Sequence, residues 1–198
     1  LDGVRIFEQL AYADPAVAAF LSIHNMCTWM VDAYGTDEQK ETFLYPLLAN
    51  EIVSCFSMTE PQGGADPLVF TAHAEPDGDE WVINGEKWFA SEADHAAFFI
   101  LMVVTDPDTE NPYRRMSMFI VPRDLPGIEN IKNYGFYGER DDSHAHLRFK
   151  DVRVPKENML GGPGDAFVVA QVRLGGGRMH HAMRTLAQAT RAFEMMCE

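Results

Sequence analysis

Two stretches carry the residues best suited to chemistry. The first, SMTEPQGGAD from Ser57 to Asp66, follows the apolar run IVSCFSM and sets Thr59, Pro61, Gly63 and Gly64 close together. Adjacent glycines let backbone N–H groups approach a bound ring or carbonyl closely, which suits a loop that grips something flat. An ordinary β-turn is the plainer alternative. The second stretch, EWVINGEKWFAS from Glu80 to Ser91, contains Asn84-Gly85, a two-residue hairpin signal, and delivers Trp88, Phe89 and Ser91 on the outgoing strand. A hairpin there brings an aromatic ring and a hydroxyl near the glycine loop. Alternation along the strand sends Trp88 to the side opposite Phe89 and Ser91, where a structural role is expected.

Histidines and arginines are the other candidates. His144-x-His146 and His180-His181 have short spacings that imidazole chelation uses, but no cysteine or carboxylate pattern completes a ligand set, so no metal is expected. Arg173, Arg178 and Arg184 read as a solvated helix face rather than ligand contacts, with a functional role favoured for Arg178 alone.

These residues need elements to hold them. Asp14-Pro15 predicts a helix start, with Val17, Phe20, Leu21, His24, Thr28 and Val31 as its apolar face and Gly35 at its end. Thr36-x-x-Gln39 reads as a capping box for a second helix striped by Phe43, Leu44, Leu47 and Leu48. From Glu51 the period shortens to strands, with turn signals at Asp77-Gly78, Asn84-Gly85 and Pro126-Gly127 and no helix-length segment between them, which favours antiparallel pairing. Ala145, Leu147 and Phe149 alternate with His146, Arg148 and Lys150, as in a strand with one wet face. After Pro155 helical pattern returns. Asp165 is a candidate cap for AFVVAQVRL, and a further helical run from Arg178 is expected to bury Met179, Met183, Leu186, Thr190 and Phe193. Gly175, Gly176 and Gly177 between them predict a kink, a break or a close approach, since each glycine costs a helix about 1 kcal/mol against alanine.

Composition sets the outer limits. The 198 residues are 46% hydrophobic and 11% aromatic, enough for a packed core. A net charge of −14 argues against nucleic acid or an anionic membrane as partner through bulk electrostatics. Cys27, Cys55 and Cys197 are far apart and one must stay unpaired, so reduced thiols and a cytoplasmic setting are expected. The longest apolar run, FFILMVV from Phe98 to Val104, falls far short of the roughly 20 residues a spanning helix needs and reads as a buried strand. No G-x-G-x-x-G marks a Rossmann route to a dinucleotide. Both ends read as cut, so a fragment is expected.

Three ordered marks resemble the acyl-CoA dehydrogenase family: Thr59-Glu60-Pro61 with Gly64 and Asp66, Ile83-Asn84-Gly85-x-Lys87, and FKDVRVPKENML from Phe149 to Leu160. The resemblance implies an α+β chain: the end of an N-terminal helical domain (1–51), an antiparallel β-barrel middle domain (52–156) and the start of a C-terminal helical bundle (157–198). It implies FAD-dependent desaturation of an acyl-CoA thioester between the α and β carbons. Phe56, Met58, Thr59, Gly64, Ala65, Phe89, Ala90 and Ser91 then contact FAD, while Ala65 and Arg178 contact substrate. Ala65 stands where relatives carry serine, Phe89 where many carry tryptophan, and Ser91 where they carry a threonine near flavin N5. The catalytic base of most relatives lies downstream of these residues, and the alternative base position is Gly177, so no catalytic base is expected within them. Electron-transferring flavoprotein as acceptor, a homodimer or homotetramer, and the mitochondrial matrix in a eukaryote are further implications. A flavin oxidase or monooxygenase of the same fold, or a non-catalytic acyl-CoA or lipid-binding module, are the rival readings.

Overall fold

The computed structural model describes residues 2–135 and 144–198; residue 1, where the N-terminal domain is expected to begin, lies outside the described residues. Helix α1 (Asp2–Ala13) leads into α2 (Pro15–Tyr34), and a short α3 (Asp37–Gln39) continues as a π-turn (Lys40–Leu44) into α4 (Tyr45–Leu48). Asp14 caps α2 as expected, its carboxylate accepting from the N–H groups of Ala16 and Val17. Thr36 and Gln39 form the expected capping box. Gln39 Nε2 also donates to the carbonyls of Glu157 at 2.7 Å and Met159 at 3.0 Å, tying the helical layer to the stretch after the last strand.

Seven strands follow: β1 (Ser54–Ser57), β2 (His73–Asp77), β3 (Glu80–Ser91), β4 (Phe98–Val104), β5 (Met116–Pro122), β6 (Ile128–Tyr134) and β7 (His144–Pro155). They form one curled sheet in the order β1-β4-β2-β3-β7-β6, with β5 also paired to β4. The α+β architecture with helical ends stands. The pairing, however, is mixed: β1 runs parallel to β4, from Ser54 beside Phe98 to Ser57 beside Leu101. The β2–β3 hairpin intervenes in the chain between β1 and β4, so the parallel pair forms without a crossover helix.

Strand β4 is buried along its whole length because both faces are covered. Phe98, Ile100, Met102 and Val104 pack toward Cys27, Met30 and Val31 of α2 and Val169 and Ala170 of the final helix. Phe99, Leu101 and Val103 fill the concave side with Ala145, Leu147, Phe149 and Val152 of β7. The alternation in β7 is as expected, with Arg148 and Lys150 on the wet face.

Two of the three turn signals act differently from the sequence expectation. The β2–β3 hairpin turns at Gly78, whose φ is +62°. Asn84-Gly85 lies inside β3, at a register shift against β7, and Gly85 takes φ +133°. A Cβ on Gly85 would lie 2.5 Å from Ala72 Cα, so the glycine serves a bulge and a close crossing. Pro126-Gly127 joins β5 to β6, which pair with different strands.

Helix α5 (Ala166–Cys197) runs unbroken for 32 residues through the triple glycine. Of the three outcomes that the glycines predict, close approach is the one found: a Cβ on Gly177 would meet Met26 Sδ of α2 at 3.0 Å. Only Met183 of the five expected α5 positions is buried; Ala187 takes the next contact, with Phe7, Ala11 and Ala18. Met179, Leu186 and Phe193 are exposed. Asp165 stands at the N-cap but makes no capping bond, because its carboxylate pairs with Arg114 at 2.8 Å. In α2 His24, Thr28 and Val31 are buried as expected, whereas Val17 and Phe20 are exposed and Ala18, Ser22, Met26 and Cys27 are buried in addition. Leu44 and Leu47 are buried as expected, whereas Leu48 is exposed.

Candidate functional site

The family marks Glu60 and Lys87 are two halves of one buried ion pair. Lys87 Nζ sits 2.8 Å from Glu60 Oε1, and both side chains are essentially inaccessible. Lys87 also donates to the Met58 carbonyl at 2.9 Å, while Glu60 accepts from the N–H groups of Thr71 at 2.7 Å and Ala72 at 3.1 Å. Burial pulls Lys87 down to about 8 against the opposing pull of Glu60. Burial also pushes the Glu60 carboxyl upward, but the Lys87 charge and the two N–H bonds outweigh it and hold the group below its ordinary value. The pair is therefore charged at neutral pH and anchors the glycine loop to β3, with Trp88 N donating to Thr59 O at 2.8 Å beside it.

A second bulge follows directly. The β3–β7 register slips between Lys87 and Ala90, and Phe89 takes φ +54°, a conformation uncommon for a bulky residue. The slip breaks the alternation on which the expected separation of Trp88 and Phe89 rests. Their rings stack at 4.8 Å and 7°, and both line one cleft. Trp88 therefore belongs to the site, and the missed signal is the bulge. Its Nε1 is buried without a partner among the described residues, and Phe89 is 44% exposed.

The cleft, of about 250 Å³, is walled by Phe56, Met58, Thr59, Trp88, Phe89 and Ser91 of the sheet and by Ile23, Arg173 and Leu174 of α2 and α5. Five of the residues expected to contact a cofactor thus come together. Gly64 sits behind Thr59: a Cβ there would lie 2.9 Å from Thr59 Cγ2 and 3.0 Å from its hydroxyl, so glycine leaves that side chain its place. Ala65 is exposed and does not line the cleft. The Ala90 side chain is wholly buried in the barrel core, leaving only its backbone for a ligand. Ser91 Oγ lies 2.9 Å from His144 Nδ1.

A second cavity, of about 390 Å³, adjoins the first across Ile23, Ser91, Arg173 and Leu174. Arg178 lines it, as do His144, His181 and Arg184. Gly177 forms part of the same wall, and among the described residues no aspartate or glutamate lines either cavity. Among the described residues no three His, Cys, Asp or Glu side chains gather as a metal site. The three cysteines are free thiols, and burial pushes Cys55 up to about 12. No described helix is long and apolar enough to cross a membrane.

A curled sheet capped by helices at both chain ends, with a flat-walled aromatic cleft at the seam between sheet and helices, defines a class of folds suited to holding a planar cofactor. The chain belongs to the acyl-CoA dehydrogenase family: residues 1–51 match the family model described as acyl-CoA dehydrogenase, N-terminal domain, and residues 55–152 that described as acyl-CoA dehydrogenase, middle domain. It is 42% identical over 171 residues to acyl-CoA dehydrogenase family member 11 of Gallus gallus, a match covering 83% of this chain and 22% of that protein. Among solved structures it resembles an acyl-CoA dehydrogenase from Geobacillus kaustophilus (TM-score 0.89, 31% identity, 96% of this chain and 50% of that one). Butyryl-CoA dehydrogenase from Megasphaera elsdenii is similarly close (TM-score 0.87, 32% identity, 96% and 49%). The chain thus spans half or less of the length of these relatives.

Proposed function

We propose that the chain is part of an FAD-dependent acyl-CoA dehydrogenase that desaturates an acyl-CoA thioester between its α and β carbons. The observation that carries this reading is the convergence of Thr59, Phe89 and Ser91 on one cleft that opens past α5 into a second cavity. The exposed Phe89 face, the orphaned Trp88 Nε1 and the glycine-backed Thr59 hydroxyl fit a flat polycyclic group with polar edges. In this proposal Phe56, Met58, Thr59, Gly64, Ala65, Phe89, Ala90 and Ser91 hold FAD, with Ala65 and Ala90 acting through backbone. Ala65 and Arg178 contact the substrate. The division at 51/52 and 156/157 into helical, barrel and helical domains is part of the same proposal.

Bound FAD supplies the acceptor for the β hydrogen as hydride. The chain's own residues bind, orient and exclude water. Phe89 and Trp88 offer an apolar wall. Ser91 has one proton, and the His144 tautomer decides where it goes: with a proton on Nδ1, His144 donates to Ser91 Oγ and frees the hydroxyl hydrogen for a ligand in the cleft. Removal of the α proton is assigned to a carboxylate outside this chain, since among the described residues neither cavity is lined by one. Electron-transferring flavoprotein as acceptor, a homodimer or homotetramer, and a cytoplasmic or mitochondrial-matrix setting belong to the same proposal.

The test is anaerobic addition of acyl-CoA to the full-length protein, following flavin absorbance. Bleaching with formation of the α,β-unsaturated thioester is expected. A colourless protein that binds acyl-CoA would replace the reading with a binding module, and rapid reoxidation by air would replace it with an oxidase.

A further inference from the structure

Arg173 is packed against an aromatic ring. Its guanidinium lies over the Phe56 ring, 4.3 Å from the centroid, and its Nε is buried with no hydrogen-bond partner among the described residues. The ionic arginines at the surface have carboxylates instead: Arg114 with Asp165, Arg148 with Glu86 and Glu129, Arg153 with Asp77 and Glu80. The inversion runs against electrostatic cost. An exposed guanidinium gains little from a partner, whereas a buried one needs acceptors for its donors. Burial lowers the Arg173 pKa from its ordinary value, and only the Cys27 and Cys55 thiols push the other way.

Its surroundings indicate what is missing. Arg173 faces the second cavity together with Arg178, Arg184 and His181, and among the described residues no acidic side chain lines that cavity. Arg184 donates to His181 Nδ1 at 2.7 Å, which makes the imidazole neutral and leaves Nε2–H as a further donor. Ile23, Met26 and Leu174 supply apolar wall in the same cavity.

We propose that the second cavity is a subsite for an oxyanion carried on the acyl group of the substrate, with Arg173 as its principal partner and Arg178 and His181 beside it. This rests on the acyl-CoA reading and adds a substrate class: thioesters whose acyl chain bears a carboxylate or comparable oxyanion, in preference to plain hydrocarbon chains. A guanidinium paired with a carboxylate makes two parallel N–H···O bonds, which gives direction as well as charge. Arg173 is thus a specificity-determining residue.

The experiment measures dissociation constants by calorimetry on the full-length flavoprotein for two pairs matched in length, glutaryl-CoA against pentanoyl-CoA and adipoyl-CoA against hexanoyl-CoA, with CoA alone as reference. The CoA portion is common to all, so its phosphates cancel in each ratio. At least one charged thioester is expected to bind about tenfold or more tightly than its neutral mate, with Arg173→Gln removing most of that ratio and Arg173→Lys retaining part of it. Thermal unfolding and FAD content of each variant report folding separately. Equal or tighter binding of the neutral thioesters by the unsubstituted protein would overturn the proposal. So would an Arg173→Gln loss equal for every thioester and for CoA, or one that follows FAD loss, since those place the guanidinium at the CoA phosphates or the cofactor. Should Arg173→Gln fail to fold, the ratio in Arg173→Lys and Arg178→Gln decides, an unchanged ratio in both overturning the proposal. A charged-ligand preference without flavin bleaching would uphold the subsite and refute the dehydrogenase reading.

Discussion

Lys87 is fully buried and Arg173 partly so, and burial lowers the pKa of both. Their surroundings differ completely. Lys87 has a carboxylate at 2.8 Å, a carbonyl at 2.9 Å and the Phe70 ring at 4.8 Å, so its donors are spent inside the protein. Arg173 has one aromatic face and no acceptor among the described residues. A buried charge with all its partners holds the fold in place; a partly buried one without them stands ready for a ligand. The contrast separates the frame of this site from its working surface.

The comparison is most easily broken at the frame. Replacing Lys87 by Met strands Glu60 as an unpaired buried carboxylate and should cost about 3–5 kcal/mol, read as a lower urea midpoint at unchanged slope. Glu60→Gln should cost a comparable amount. A loss under 1 kcal/mol in both would mean that the pair does not anchor the loop.

Close behind comes Gly85→Ala. It forces a side chain into φ +133° and against Ala72 Cα at 2.5 Å, and strain of about 1–3 kcal/mol is expected. A neutral result would remove the bulge from the account.

Acid titration sharpens the same contrast. The folded-state pKa of Glu60 lies below its ordinary value of 4.5, so the unfolded chain binds the proton more readily. Stability from this group is fully present above about 4.5 and is lost as pH falls through the folded value. The unsubstituted protein should therefore lose stability more steeply below pH 4.5 than Glu60→Gln does. Parallel acid limbs would contradict the assignment. The smallest effect belongs to Ser91→Ala, which removes one neutral hydrogen bond and should slow flavin reduction by a factor matching about 0.5–1.5 kcal/mol, with FAD content unchanged. Identical reduction rates and flavin spectra would place Ser91 outside the chemistry.

Local signals in the sequence served where local physics decides. The Asp14 cap, the Thr36 and Gln39 capping box and the β7 alternation all depend on neighbours within a turn or a strand, and they stand in the structure as read. Asn84-Gly85 failed because the same readiness for positive φ serves a hairpin or a bulge, and the choice belongs to β7 and Ala72, far away in the chain. Trp88 was misplaced for a related reason, since alternation holds only while the register does. Glu60 and Lys87 were legible as motif letters, but nothing in a single sequence pairs residues across two separate stretches. Arg173 looked like any other cation on a helix face. Its burial comes from the packing of α5 against α2 and Phe56, which no helical period encodes.

The central claim is that Arg173 serves a ligand and Lys87 serves the fold. The most direct measurement is the urea midpoint of Arg173→Met beside that of Lys87→Met, without acyl-CoA. Removing an unpaired, partly buried cation relieves its desolvation and forfeits a cation–π contact of about 0.5–2 kcal/mol, so the Arg173→Met midpoint should be unchanged or raised while the Lys87→Met midpoint falls. A fall in Arg173→Met as large as that in Lys87→Met would show that both cations hold the structure together, and the division between frame and working surface would be contradicted.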